Sequence, residues 1–187
     1  RQAQIVELGG LKLLLPLTQS KDVEVQRLAV HALANLSVNC EDTELLVECY
    51  NLSSVSIHLS YAANNQELMA KEGGIDMLIV MLASPHAHLQ RQASKALANL
   101  GVNTSNKERI CKAGGVPPLV RLAGSKTAGV AVEAVAALAN LAVNDETEIQ
   151  IVREGGLIPI LNGAGSRDAE LQSQCARALR NLSVNRE

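Results

Sequence analysis

His86 and His88 stand two residues apart in SPHAHL, close enough for both imidazoles to reach one metal ion. A metal site needs three or four ligands, and no nearby cysteine or carboxylate completes one, so the pair reads as part of a solvated turn. Gly124-Ser125-Lys126-Thr127 ends like a phosphate loop but lacks the full G-x-x-x-x-G-K-[ST] pattern. The glycine pairs of the chain lack the third glycine and the preceding strand of a dinucleotide fingerprint. His31 and His58 have no Ser or Cys nucleophile set beside them by spacing. Cys40, Cys49, Cys111 and Cys175 form no C-x-x-C pair and read as buried reduced thiols, which places the chain in the cytoplasm, with the nucleus as a second compartment. No enzymatic activity, metal or cofactor is therefore expected.

The polar residue with the strictest spacing is asparagine. The phrases ANLSVN, ANLGVN, ANLAVN and RNLSVN carry Asn35, Asn99, Asn140 and Asn181, the last three evenly spaced and the first set further back. An amide both donates to and accepts from a peptide backbone, so a row of them is suited to holding an extended chain. The competing role is a cap on each asparagine's own helix end. Asn35, Asn51, Asn103 and Asn181 also match N-x-[ST], but three of these fall where helices should end, which argues against glycan acceptors.

The elements that position these asparagines follow from composition and period. The chain has 187 residues, 47% hydrophobic, with 1% aromatic and neither Phe nor Trp. Its core must come from Leu, Ala, Val and Ile, which suits thin repeated helical layers better than one large centre. A net charge of −2 argues against a nucleic-acid partner. The most apolar run, Ala128 to Val143, contains Glu133 and Asn140 and is shorter than the ~20 apolar residues a membrane span needs, so no membrane insertion is expected.

Glycine pairs begin at Gly9, Gly73, Gly114 and Gly155, each at one constant distance before its marker asparagine. Each unit reads as a short helix, a break at the glycines, a medium helix, a polar turn and a long helix. The turns begin at Ser20, Ser84, Ser125 and Ser166, with Asp22, Thr127 and Asp168 as expected N-caps and His86 the exception, where Pro85 sets the helix start. Pro117 falls in a first turn, where its missing donor is harmless. Pro16 lies deeper in its helix and predicts a kink or early end. In the first long helix, Val25, Leu28, Ala29, Ala32, Leu33 and Leu36 share one broad stripe.

The period divides the chain into repeats at 1–39, 63–103, 104–144 and 145–185, with 40–62 as an additional abridged or inserted unit. Removing Cys40 to Ala62 gives the first interval the length of the later ones. The start of this stretch parallels NDETEIQIVREGGL and its end an NLxVN junction, as in a unit that has lost its middle helix. Loss through splicing, a skipped exon or a faulty gene prediction is the alternative account. A bend or slip in the stack is expected there, with Glu41 to Cys49 helical and Ser53 to Tyr61 fitting strand and helix periods equally. Arg1 falls inside a first helix and Glu187 just past a third, so further repeats or another domain are expected to flank the piece.

The succession of GG, L-x-x-LL or PLV, an S-x-D turn and an ALxNL helix resembles the armadillo repeat across essentially the whole chain except Cys40 to Ala62. The endings LSVN and LAVN, with AGGVPPLV, resemble the armadillo domains of vacuolar-anchor proteins and plant U-box ubiquitin ligases more than importin-α. The resemblance implies an all-α fold, a right-handed α-solenoid of three-helix repeats whose long helices line a concave groove that binds extended protein segments. It also implies an asparagine ladder at Asn35, Asn99, Asn140 and Asn181. Importin-α-type proteins carry Trp four residues before this asparagine; here stand His31, Lys95, Ala136 and Arg177, which argues against nuclear-import cargo.

On a helix, the places one, two and three turns before each asparagine share its face. Arg27, His31, Arg91, Lys95 and Arg177 make that face locally basic, offset in part by Glu24, Glu133 and Glu170. The expected ligand is an extended, polar to acidic segment of another protein, held by a non-enzymatic scaffold. The other reading of these charges is a solvated outer face. The other reading of the whole is a substrate-recruiting or targeting domain of a larger enzyme, such as a ubiquitin ligase, a kinase or a motor.

Overall fold

The computed structural model describes residues 2–38, 65–143 and 145–184; the abridged unit at 40–62 lies outside them. Every regular element among the described residues is helical, and the helices fall into four successive layers. They are α1 (Gln2–Glu7), α2 (Gly10–Leu17) and α3 (Val23–Leu36); α4 (residues 65–71), α5 (Gly74–Met81) and α6 (Ala87–Leu100); α7 (Thr104–Lys112), α8 (Val116–Ala123) and α9 (Ala128–Leu141); α10 (Asp145–Arg153), α11 (Leu157–Ala164) and α12 (Ala169–Leu182). The long helices stack in order, α3 on α6, α6 on α9 and α9 on α12, while each medium helix packs on the long helix of its own layer. This is a right-handed α-solenoid.

Leucine and alanine columns explain the stacking. Leu33, Leu97 and Leu138, two residues before the marker asparagine, are fully buried, as are Leu100 and Leu141 just after it. Each such leucine contributes about 1.5–3 kcal/mol. Ala93 and Ala134 are fully buried six residues before the asparagine, and Ala96, Ala137 and Ala178 three before, so the long helices approach closely without aromatic filling. Cys175 takes the alanine place in α12; it fits because Gly163 leaves room, since a Cβ there would lie 2.6 Å from Cys175 Sγ.

The two glycines of each pair have separate jobs. Gly9, Gly73, Gly114 and Gly155 have φ of 80°, 84°, 79° and 78°, the left-handed conformation that ends a helix. At the third pair Gly114 N–H donates to Cys111 O and Gly115 N–H to Ile110 O, a Schellman closure of α7. The second glycine has ordinary backbone but no space: a Cβ on Gly115 would lie 2.7 Å from Ile110 Cγ2 and 2.9 Å from Ile110 O.

The turns before the long helices use serine throughout. Ser20, Ser84, Ser125 and Ser166 each accept from the backbone N–H two residues on, at 3.1, 3.2, 3.2 and 3.1 Å. Asp22 and Asp168 cap α3 and α12 through their side chains. Thr127 does not make the expected cap bond, and His86 makes none either. Serine thus carries the turn, and the following residue adds a cap only where it is Asp. The GSKT loop is one of these turns.

Two further expectations are corrected. The helix α2 runs through Pro16 and stops at Leu17, as long as its counterparts α5, α8 and α11, because the proline sits one residue from an end that the repeat imposes anyway. Leu28 is 54% exposed rather than part of the core stripe. Its counterparts Gln92, Glu133 and Gln174 stand seven residues before the asparagine, and Glu133 reaches back to Arg91 of the preceding layer. Leu28 has no preceding long helix among the described residues to cover it. The bend or slip expected at 40–62 falls on residues outside those described; α3 packs on α6, with Asn99 Nδ2 3.5 Å from Ala34 O.

Candidate protein-binding face

The marker asparagines lie in the last turn of each long helix, where backbone carbonyls run out of intrahelical donors. Asn140 Nδ2 donates to Ala98 O at 2.7 Å, and Asn181 Nδ2 to Ala139 O at 2.7 Å. Asn99 Nδ2 donates to Ser37 Oγ at 3.2 Å and lies 3.5 Å from Ala34 O, to which the Ser37 hydroxyl itself donates. Each accepting carbonyl belongs to the residue just before the asparagine of the previous layer. Asn99, Asn140 and Asn181 therefore do not cap their own helices through Nδ2: each spends an amide N–H on the C-terminus of the long helix before it, while Asn35, on the first long helix, is exposed. For a ligand the half-buried Asn99 and Asn140 retain Oδ1, an acceptor, and Asn140 also its second amide N–H.

Around this row the predicted residues share the long-helix face. Asn35 and His31 are exposed on α3; Arg91 is exposed and Lys95 half-buried on α6; Arg177 is half-buried on α12. Arg27 is tied to Glu24 within α3 through both carboxylate oxygens. That hydrogen bond holds the Glu24 carboxyl below its usual range and raises the Arg27 guanidinium. Arg91 Nε lies 3.8 Å from Glu133 Oε1 on α9. Arg177 Nη2 donates to Ala136 O at 3.3 Å, and burial, helped by Arg180, lowers its pKa. On α9 the equivalent positions are Val132 and Ala136, both buried, so the face is cationic at α6 and apolar at α9. Sequence reasoning missed Gly129, on which the Arg91 guanidinium lies: a Cβ there would come 3.3 Å from Nε.

Burial pushes the Glu133 carboxyl above its ordinary value near 4.5, against the pull of Lys95 and Arg91 and with a smaller push from Glu170. The folded chain thus holds this proton more tightly than the unfolded one. Its stabilising contribution is fully present below the ordinary value and is lost as pH rises through the raised one. Glu133→Gln, which mimics the protonated form, is expected to raise the melting temperature at neutral pH and to leave it unchanged in acid, as thermal melts across pH would show.

Away from this face, a cleft of about 540 Å³ between α7 and α10 is lined by Cys111, Thr147, Glu108, Lys112, Glu146 and Arg153, among others. Cys111 Sγ lies 3.3 Å from Thr147 Oγ1, and burial pushes its thiol up, the opposite of an activated nucleophile. His86 and His88 have stacked rings with centroids 5.6 Å apart. Among the described residues no group of three or more His, Cys, Asp or Glu is placed to hold a metal, and no helix is long and apolar enough to cross a membrane.

A solenoid of three-helix layers closed by an asparagine at each long-helix end defines an armadillo-type scaffold. An armadillo/beta-catenin-like repeat profile matches residues 2–38, 63–102 and 103–143, more than half of the chain, and the chain belongs to the armadillo repeat family. An engineered protein of known structure is 31% identical, with a TM-score of 0.65 over 97% of this chain and 82% of that one. A second engineered protein is 25% identical with a TM-score of 0.68, covering 98% and 85%. A structure described as computationally designed armadillo repeat proteins for modular peptide recognition is 25% identical, with a TM-score of 0.61, covering 96% and 85%. Curated proteins give no match. The profile ends at residue 143, yet α10 to α12 repeat the earlier geometry, with Gly155 at φ 78° and Asn181 bonded to the layer before.

Proposed function

We propose that this chain is a non-enzymatic protein-interaction scaffold that binds an extended, polar to acidic segment of a partner along the groove lined by its long helices. The observation that carries the reading is the placement of Arg91 and Lys95, one turn apart on α6 and on the same face as the asparagine row, with buried Val132 and Ala136 as their α9 neighbours. Opposite charge on the ligand speeds encounter and fixes register. The Oδ1 atoms of Asn99 and Asn140 accept from the segment's backbone N–H groups, an N–H of each amide being committed to the preceding helix. Arg27, held by Glu24, positions rather than attracts, and His31 adds a polar contact. The designed armadillo proteins described for peptide recognition support this use of the scaffold. The chain divides on this reading into repeats at 1–39, 63–103, 104–144 and 145–185 with 40–62 as an abridged or inserted unit, and free Cys111 and Cys175 suit a cytoplasmic or nuclear setting.

Selection of a random peptide library on the immobilised chain tests this. Enrichment of Asp and Glu, lost when Arg91 and Lys95 are both changed to Glu, is the expected result. Enrichment of Lys and Arg, or a pool that the double variant retains unchanged, refutes it.

A further inference from the structure

Seven residues before each marker asparagine stand Leu28, Gln92, Glu133 and Gln174, so one position in this column is ionisable. Glu133 is mostly buried, its side chain 17% exposed, while Arg91 opposite is 55% exposed. Its carboxylate reaches across the gap between α6 and α9 to Arg91, and Lys95, the other cation on which the proposed function rests, acts on it through its charge.

We propose that Glu133 is an intramolecular competitor for the Arg91–Lys95 pair: in the free protein its carboxylate takes the place of an acidic ligand side chain, and so sets how acidic a segment must be to bind. The proposal rests on the reading of the long-helix face as a site for acidic segments and deepens it by naming the residue that sets the threshold.

Three observations carry it. The contact is loose, 3.8 Å between Arg91 Nε and Glu133 Oε1, well outside the roughly 2.7–2.9 Å of a charge-assisted hydrogen bond. Such a contact is readily exchanged for one made by a ligand carboxylate, in contrast to the two-point hold of Glu24 on Arg27 within one helix. Next, α9 is opened for the approach: Gly129 lacks the Cβ that would crowd the Arg91 guanidinium. Last, both cations act on this carboxylate while burial works against its charge, so the negative form is favoured by Arg91 and Lys95 and by little else nearby. A ligand carboxylate arriving at the same cations meets Glu133 at close range, and two like charges that near repel.

Fluorescence anisotropy with labelled deca-glutamate, and deca-lysine as the control, tests this on the intact chain. Removing one like charge several ångströms from the bound carboxylate is expected to tighten deca-glutamate binding about five- to tenfold in Glu133→Gln. Glu170→Gln, which removes a negative charge of the same face that makes no ion pair with Arg91 or Lys95 and pushes only weakly on Glu133, is expected to change it less than about twofold. The gain should vanish when Arg91→Ala is combined with Glu133→Gln. Circular dichroism of each variant checks that the helices remain. Unchanged or weaker binding in Glu133→Gln overturns the competitor, as does an equal gain in Glu170→Gln, which would reduce the effect to net charge. Both outcomes leave the site itself intact if wild-type binding depends on Arg91. Wild-type binding that ignores Arg91 and Lys95, preference for deca-lysine, or no binding to deca-glutamate refutes the proposed function, and the competitor with it.

Discussion

Gly115→Ala is expected to cost roughly 1–3 kcal/mol of unfolding free energy, more than Gly114→Ala beside it. The two glycines fail for different reasons. Gly114 is left-handed at φ 79° with nothing within 4 Å of where an alanine methyl would lie, so alanine there costs only backbone strain of about 1–2 kcal/mol. Gly115 has an ordinary backbone, but its Cβ would meet Ile110 Cγ2 at 2.7 Å, the Ile110 carbonyl at 2.9 Å and Ile79 Cδ1 at 3.4 Å. A carbonyl held in a helix cannot give way as a side-chain tip can, so α7 must shift against α8 and disturb the layer. Gly124→Ala is the control, because its nearest neighbours lie at 3.6 and 3.8 Å, ordinary contact. Denaturant unfolding of the three variants should rank them Gly115, Gly114, Gly124. Equal losses at Gly115 and Gly124 would show that the second glycine is not a packing requirement.

Asn140→Asp separates the two roles of the ladder. Aspartate keeps the oxygen that faces a ligand but removes the donor to Ala98 O, and sets a negative oxygen against a carbonyl formerly bonded at 2.7 Å. A buried acceptor left without its donor costs about 1–3 kcal/mol. Asn140→Asp should therefore destabilise the chain at neutral pH by about that amount and regain part of it in acid, where the protonated side chain can donate again. The check is a pair of denaturation curves at the two pH values. A neutral effect would mean that the asparagine is free for ligand and does not clamp the layers together.

Much of the solenoid is legible in the primary structure. The glycine pairs and the ANLxVN phrase fix helix ends, and an end plus a constant period determines which helices stack. What cannot be read there requires two layers in register. The asparagines stand out by their spacing, but their bond to the previous layer joins positions 42 apart and has no local signature. The second glycine of each pair looks like part of the helix break, whereas close approach to Ile110 or Ile151 is its reason. Thr127 has the right type and place for a cap, yet its side chain makes no cap bond, where Asp22 and Asp168 do. Leu28 and Glu133 share a register, and only their neighbours make one exposed and the other half-buried. Arg91 is recognisable as a basic residue two turns before its asparagine; its seat over Gly129 and its approach to Glu133 are not, since both lie on the next long helix.

The most direct test of the long-helix face as the binding surface is amide chemical-shift mapping of the isotope-labelled chain titrated with deca-glutamate. Saturable shifts are expected to concentrate on α6 around Arg91, Lys95 and Asn99 and to continue onto α9 around Glu133 and Asn140. Shifts confined instead to α7 and α10, around the Cys111–Thr147 cleft, would contradict it and move the site away from the long helices.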